Sequence, residues 1–337
     1  MVGAGGVPEP VPAVSVLVPT YARPAHLTRC LAGLARQTQP ADEVVVVVRP
    51  EDAASRDVLG QFQHVKLREV VVRVPGAVAA RNAGLAVVTG DIVAFLDDDA
   101  VPRPDWLARL VAHYADPSVG AVGGRDVLYQ GDAPVQAPPR RQVGVLTWYG
   151  RFLTLHPRGT GPARDVDFLK GVNMSISRAR CPGVHFDAQL RGRGAQVHED
   201  AGLCLEVRRR GLRVVYDPAI LVDHFEADRG DNDARAPRDL RARRDRHHNQ
   251  TYLVARYYPW PRVVIHVLYV LVVGMADAPG FVLSVRNALR TRSVRPHLLP
   301  LLANTHGRIA GLASGVRVRR DEAAEVAGDA TRTPVQP

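Results

Sequence analysis

Runs of apolar residues alternate with amphipathic segments through the first third of the chain. Four short runs without polar alternation predict strands that are buried on both faces. They span residues 14–18, 44–48, 70–74 and 92–96. Helical spacing of apolar residues follows at Leu27, Cys30, Leu31 and Leu34, and helices are also predicted at 77–85 and 106–111. This alternation predicts an α/β fold, with a mostly parallel sheet flanked by helices.

The pattern is less regular in the middle of the chain. Residues 167–178 predict a pair of strands around Gly171, and 214–216 predict another strand. A helix is expected from His198 to Arg210, because acidic residues in its first turn complement the helix dipole. Residues 263–273 are almost wholly apolar. A run of that length is typical of a buried or interfacial segment, since a spanning helix needs roughly 20 apolar residues.

The composition divides the chain into four parts. Residues 1–12 are rich in Gly, Pro and Val and lack the features of a signal peptide, so a flexible start is expected. Residues 13–228 form the predicted α/β domain. Residues 229–318 are first basic and then apolar, which predicts a helical extension that either packs on the domain or associates with a membrane. Residues 319–337 are predicted to be a disordered tail.

Charge and cysteine content limit the partners and the compartment. The 337 residues carry a net charge of +10, which favours anionic ligands or surfaces. No basic motif is interleaved with aromatic residues, so nucleic acid is not expected as a partner. Three cysteines without a CxxC spacing favour a reduced, cytoplasmic compartment.

Three adjacent carboxylates, Asp97, Asp98 and Asp99, follow the predicted strand at 92–96. The carboxyl ends of strands are where open α/β sheets bind ligands. Because neighbouring acids repel each other, a divalent cation such as Mn²⁺ or Mg²⁺ is the simplest partner. Alternate residues of an extended segment share a side, so Asp97 and Asp99 are the expected metal ligands and Asp98 faces elsewhere, towards a ribose. A solvated acidic turn is the alternative interpretation.

Five segments in order resemble the family 2 glycosyltransferases, which have the GT-A fold. They run from about Val14 to His224 and read VLVPTYARP, RNAGL, TGDIVAFLDDDAVPRPDWL, KGVNMSISR and HEDAGLCLEVRRRG. The resemblance implies an inverting enzyme that moves a sugar from a nucleoside diphosphate donor to an acceptor hydroxyl. It also implies that His224 joins Asp97 and Asp99 at the metal, although a histidine here could simply pack in the core.

The same resemblance implies the reacting residues. Asp200 is the expected catalytic base, with Glu199 in reserve, and burial beside a second acid would raise the pKa of such a base. Helix capping is the competing interpretation of both acids. The basic loop before them, which includes Arg193, would border the acceptor.

Contacts with the donor follow from the resemblance as well. Nucleotide contacts are implied for Pro19, Thr20, Arg23, Asp52, Arg81, Asp97 and Asp98, and donor-sugar contacts for Asn173 and Gly171. The family usually has an acid at the end of the second strand to read the base, whereas this chain has Arg49-Pro50-Glu51-Asp52. Glu51 or Asp52 could serve from a shifted position. UDP is the default donor nucleotide, with GDP and dTDP open.

If the acceptor is lipid-linked or part of a cell-envelope glycan, the enzyme would have to act at the inner face of the cell membrane. The arginines of residues 229–246 and the apolar run 263–273 would suit an anionic membrane surface there.

Two other functions stay open. A nucleotidyltransferase also uses acids and a metal, but PTYARP stands where such enzymes carry a Gly-rich loop. The other is a non-catalytic protein of the same fold that binds membranes or polyanions.

Overall fold

The computed structural model describes residues 12–226 and 239–330. Its strands are β1 (Val14–Pro19), β2 (Glu43–Val48), β3 (Leu67–Val71), β4 (Ile92–Leu96), β5 (Ala100–Pro102), β6 (Val119–Gln130), β7 (Ala133–Pro134), β8 (Val145–Leu146), β9 (Phe152–Leu153), β10 (Arg164–Asp165), β11 (Asn173–Ser177) and β12 (Arg213–His224). Its helices are α1 (Pro24–Ala35), α2 (Ala53–Leu59), α3 (Ala77–Leu85), α4 (Trp106–Ala112), α5 (Glu199–Arg209), α6 (Leu240–Tyr257), α7 (Trp260–Val272), α8 (Phe281–Thr291) and α9 (Arg295–Ala330).

The strands of the central sheet are ordered β10-β12-β6-β11-β4-β1-β2-β3, and in addition β5 pairs with β12 and β7 with β6. The β4-β1-β2-β3 half is parallel, as predicted. β11 is antiparallel to both β4 and β6 and lies between them, while β12 is parallel to β6. The sheet is therefore mixed, with helices on both sides, and the prediction of a helix-flanked α/β fold is confirmed.

Strand register brings three loops to one edge of the sheet. Leu17 of β1 lies opposite Phe95 of β4 and Val45 of β2. The residues that follow these strands, which include Thr20, Arg49 and Asp97, therefore emerge side by side. Apolar clusters on the two faces of the sheet hold this arrangement.

Three boundaries differ from the prediction. β3 covers 67–71 rather than 70–74, and Val74 is 62% exposed. Residues 167–178 contribute one strand of the central sheet, β11, instead of a pair. Helix α9 continues through Ala330, so the expectation of a disordered tail at 319–337 is wrong for 319–330. The tail beyond Ala330 and the predicted flexible start up to residue 11 lie outside the described residues.

The C-terminal helices form a separate layer in which α6 and α9 pack along each other. The apolar run 263–273 falls within and just after α7, which buries Val263, His266 and Val270 and leaves its opposite face exposed. No helix in the described ranges has the length and apolarity to cross a membrane. Part of the basic run also lies outside those ranges, while Arg241, Arg243, Arg244 and Arg246 belong to α6.

Candidate active site

A cavity of about 410 Å³ opens at the edge where β1, β2 and β4 end. Its walls come from residues that are far apart in sequence: the loop after β1, the end of β2, the residues after β3, the start of α3, the three aspartates after β4, and the approach to α5. Pro19, Thr20, Arg23, Arg81, Asp97, Asp98, Asp99 and Glu199 all line it. The fold thus brings most of the predicted donor and catalytic residues together.

Arg81 of α3 joins the two sides of the cavity. Its guanidinium donates to Asp97 Oδ1 at 2.8 Å and to Glu199 Oε1 at 2.6 Å, and the residue is only 4% exposed. Burial opposes the charge of Arg81, but the negative charges of Asp97, Glu199 and Asp200 raise its pKa further above its usual range. Arg81 is therefore a fixed cation that positions two carboxylates, where the sequence predicted a direct contact with phosphate.

Asp98 is held by the loop after β1. Its carboxylate accepts a hydrogen bond from Thr20 Oγ1 at 2.7 Å and one from Arg23 Nη1 at 3.1 Å. Burial, with a smaller contribution from the charge of Asp99, raises the pKa of Asp98 to about 7. Asp98 thus connects the first strand loop to the aspartate cluster.

Asp99 and His224 meet at the floor of the site. His224 Nε2 lies 3.3 Å from Asp99 Oδ1, and its Nδ1 lies 3.3 Å from Asp126 Oδ2. Lys170 forms an ion pair with the same Asp126. Burial lowers the pKa of His224, but hydrogen bonding with Asp126 and Asp99 outweighs burial and raises it to about 9. The ring is therefore a cation between two carboxylates.

Asp99 and His224 fit a divalent cation in donor chemistry, because a carboxylate suits Mn²⁺ or Mg²⁺ and an imidazole nitrogen favours the transition metal of the two. His224 would lose its proton on binding, so that the metal would replace one positive charge with another. Asp97, the third predicted ligand, instead accepts from Arg81. Across residues 12–226 and 239–330, no three His, Cys, Asp or Glu side chains are grouped to hold a metal unaided. Further ligands would have to come from water or from a bound molecule.

The two acids at the start of α5 face different surroundings. Glu199 lines the cavity and its side chain is 13% exposed. Burial raises the pKa of Glu199 to about 7, against the opposing charge of Arg81. Asp200, predicted as the base, does not line the cavity, and its Oδ2 accepts from the backbone N–H of Gly171 at 3.0 Å. The position predicted in reserve is thus the one at the cavity wall.

The loop before α5 is clamped by the C-terminal extension. Asn249 of α6 is fully buried, and its side chain makes three hydrogen bonds to the loop backbone: with the N–H and C=O of Arg191 and with the C=O of Val197. At the other side, Ala77 N–H donates to the C=O of Gly194, which joins the loop to α3. The extension therefore helps to position the cavity wall.

His198, the last residue before α5, has an unusual backbone conformation. It adopts a left-handed backbone conformation with φ of 75°, which is uncommon for a residue other than glycine. Its ring stacks on Phe152 at 4.3 Å. Strained backbone of this kind persists where the surrounding structure holds it, and it occurs often at functional sites. The turn at His198 directs Glu199 into the cavity.

Besides Asp200 and His224, four predicted residues do not line the cavity. Asn173 is fully buried and bonds to Trp106, Arg125 and Ile220, so contact with a sugar would require these bonds to break. Gly171 instead makes room for Arg81, since an added Cβ would lie 2.9 Å from its Nη2. Asp52 caps α2, and its oxygens accept from the N–H groups of Ser55 and Ala22. Arg193 is exposed.

Other residues of the cavity were not predicted. Tyr21 lines it with a 43% exposed ring, and the guanidinium of Arg49 lies 5.4 Å from the centre of that ring. Val72 and Val74 form the adjacent wall. The sequence signal for Arg49 was its place at the end of a strand where an acid was expected. Asp126 and Lys170 could not be recognised, because no spacing relates them to Asp99.

Residues 15–177 match the family model described as Glycosyl transferase family 2. Over 154 residues the chain is 34% identical to the pre-mycofactocin glycosyltransferase of Mycobacterium tuberculosis (strain CDC 1551 / Oshkosh). This alignment covers 44% of the chain and 30% of that protein, so the chain spans less than a third of the relative's length. The family match contains the three aspartates, whereas Glu199 and His224 lie beyond it.

Solved structures share the fold at low identity. The chain resembles the structure of S. aureus TarS residues 1–349 in complex with UDP-GlcNAc, with a TM-score of 0.60 and 14% identity, over 93% of this chain and 92% of that one. It also resembles the structure of GalNAc-T7 with UDP, GalNAc and Mn²⁺, with a TM-score of 0.59 and 14% identity, over 78% and 51% of the two chains. These neighbours are glycosyltransferases of the GT-A fold, which confirms the predicted fold.

Proposed function

We propose that the chain is a member of glycosyl transferase family 2, whose model residues 15–177 match, and that it transfers a sugar from a nucleoside diphosphate donor to an acceptor hydroxyl, with inversion at the anomeric carbon. One observation carries the proposal: a single cavity at the carboxyl edge of the sheet combines a three-aspartate cluster, three arginines and a protonatable glutamate. A volume of about 410 Å³ lies within the usual range for small-ligand sites.

The two ends of the cavity differ in a way that suits such a donor. Tyr21, Val72 and Val74 offer an aromatic and aliphatic wall for a nucleobase, and Arg49 supplies hydrogen-bond donors beside it. The opposite end holds Arg23 and the aspartates, which suits a ribose and a diphosphate with its cation. UDP is the default nucleotide, with GDP and dTDP as alternatives.

A divalent cation, Mn²⁺ or Mg²⁺, would be held by Asp99 and His224, with Asp97 close by and oxygens of the donor diphosphate completing its ligands. Support comes from the 3.3 Å approach of His224 Nε2 to Asp99 Oδ1 and from the Mn²⁺ in the structure of GalNAc-T7, which shares the fold. When bound, the cation neutralises negative charge on the departing diphosphate.

The chemical step is a displacement at the anomeric carbon. The acceptor oxygen forms the new bond to that carbon, the bond from the carbon to the diphosphate oxygen breaks, and the acceptor proton passes to a carboxylate. Glu199 is the proposed base, because it borders the cavity and its pKa of about 7 allows it to hold the proton. Asp200 is the neighbouring alternative. Arg81 orients Glu199 through the 2.6 Å hydrogen bond.

The proposed acceptor is a glycan, either lipid-linked or part of the cell envelope, and the proposed location is the inner face of the cell membrane. A net charge of +10 supports work beside anionic lipid.

Release of the nucleoside diphosphate from UDP-, GDP- and dTDP-sugars, with Mn²⁺ or with EDTA, tests the function. Turnover with at least one donor is expected in Mn²⁺ and should stop in EDTA. Asp99→Ala should lower turnover more than about 100-fold, while Asp132→Ala, an exposed acid away from the cavity, should not. Full turnover in Asp99→Ala, or no turnover of any donor by the wild type, would overturn the proposal.

A further inference from the structure

Two C-terminal helices carry apolar stripes that no part of the described chain covers. Along α7, Trp260, Val264, Leu268 and Val272 recur every fourth residue and are 48–59% exposed. Along α8, Phe281, Val285 and Leu289 have the same spacing and are 42–75% exposed. Residues four apart lie on one helix face, so each helix presents one continuous stripe.

Exposed apolar side chains are concentrated in one part of the described chain. In the described ranges, 21 large apolar side chains are exposed, and 15 of them lie between Trp260 and Ile309. α7 and α8 are joined through a short turn in which Gly280 N–H donates to the C=O of Val273. Scattered exposed apolar residues need no explanation, but a concentration on adjoining helices marks an interaction surface.

Positive charge accompanies the stripes. Residues 260–320, which contain both stripes, have nine arginines and a single acid, Asp277. Arg286 and Arg290 lie on α8 beside its stripe, and Arg292 and Arg295 follow at the turn to α9, all four exposed. Apolar residues with arginines alongside and only one acid match the composition of helices that lie in the interface of an anionic membrane.

Two exposed tryptophans border the same region. Trp260 begins α7, and Trp148 is 65% exposed in a loop that α7 holds in place. Arg262 of α7 donates to the C=O of Thr147 at 2.8 Å, and the adjacent Tyr149 ring lies 4.6 Å from that of Tyr269. Tryptophan favours the boundary between water and acyl chains, because its ring is apolar and its N–H is polar.

We propose that α7, α8 and the first turns of α9 form a docking surface for an anionic lipid bilayer. The stripe of α8 enters the layer below the headgroups, while Arg286 and Arg290 bind lipid phosphates. The charge pattern favours lipid over a second copy of the chain, since two such arginine-rich faces would repel each other. Such a surface would hold the enzyme at the proposed membrane location. Only its biological role rests on the proposed function; the binding of lipid does not.

Sedimentation with vesicles tests the surface without any sugar donor. The full chain is mixed with vesicles of phosphatidylcholine alone or with 30% phosphatidylglycerol, at low and high salt. Binding to the anionic vesicles is expected, with weak binding to the neutral ones. Leu289→Asp should weaken binding more than about tenfold. Arg286→Gln and Arg290→Gln should each weaken it about fivefold, because a basic residue near such a surface contributes about 1 kcal/mol.

Controls separate the surface from general effects of charge and folding. Val135→Asp introduces the same charge at an exposed apolar residue of the loop after β7, and Arg36→Gln removes an exposed arginine at the end of α1; neither should change binding. Each variant is checked for the wild-type thermal midpoint. Unchanged binding by Leu289→Asp, or a wild type that ignores anionic vesicles, would overturn the surface. Self-association abolished by Leu289→Asp would assign it to a second copy instead.

The two proposals fail separately. Vesicle binding needs no sugar donor, so a wild-type protein that does not bind anionic vesicles contradicts the docking surface alone. Failure to release nucleotide from any donor contradicts the enzymatic function alone.

Discussion

The carboxyl edge of the sheet and the C-terminal helices differ in which side chains they bury and which they expose. At the edge, charged groups are buried and matched: Arg81 is 4% exposed between Asp97 and Glu199, and His224 is 4% exposed between Asp99 and Asp126. In α7 and α8, apolar side chains are exposed and arginines stand beside them. Buried charge that is positioned by its neighbours costs free energy and is often retained for function.

The contrast indicates two kinds of partner. A site whose charges are already fixed suits a small anionic ligand, because little reorganisation is needed when the ligand binds. A surface that leaves large apolar side chains in water suits a broad apolar partner, which gains from covering them. Four predictions test this division, starting with the largest expected effect.

Glu199→Gln should lower transfer by about 10²–10⁴-fold, the usual contribution of a general base, while donor binding changes little. The amide keeps the shape of the side chain but cannot take the acceptor proton. Turnover and donor affinity measure the two effects. Asp200→Asn is the matched variant, and a larger loss there than in Glu199→Gln would move the base to Asp200.

The pH dependence gives a second test of the same residue. The pKa of Glu199 is raised to about 7, so the carboxylate form that accepts a proton increases as pH rises through 7. The wild-type kcat/KM should therefore fall about tenfold per unit below pH 7 and level off above it. In Glu199→Gln this limb should disappear. A limb that persists there belongs to another group.

Phe95→Ala and Leu289→Ala compare the two regions by stability. Phe95 is fully buried in β4 against Phe186, so its truncation should cost about 3–5 kcal/mol. Leu289 is 75% exposed, and its truncation should change stability by less than about 0.5 kcal/mol. Urea unfolding measures both. A cost of several kcal/mol for Leu289→Ala would show that the α8 stripe is covered in the free protein.

Asn249→Ala tests whether the helical extension positions the cavity wall. Loss of its hydrogen bonds to Arg191 and Val197 should cost roughly 1–3 kcal/mol of stability. Because the loop leads to Glu199, kcat should fall more than donor affinity. Gln250→Ala is the control, since that amide bonds to the C=O of Gly150 instead. Equal kinetic effects in both variants would mean that Asn249 acts through stability alone.

Local patterns were sufficient to predict much of the fold and part of the site. Continuous apolar runs predicted β1, β2 and β4, because burial on both faces leaves no polar alternation. The aspartates followed from their place after such a strand. Predictions were weaker where tertiary contacts set the structure: β11 is a single strand, and Gly171 before it lies against Arg81 and donates its N–H to Asp200, a contact that no periodicity records.

What is encoded locally in this chain is the order of strands and helices, the positions of the acids at strand ends, and the apolar and basic character of the C-terminal third. These properties arise between residues that are neighbours in sequence. The partners of each charge depend on residues that are 16 to 125 positions apart, such as Arg81 with Asp97 and Glu199, and Asp99 with His224. Folding alone brings those groups within hydrogen-bonding distance, and it likewise selects Glu199 rather than Asp200 to face the cavity.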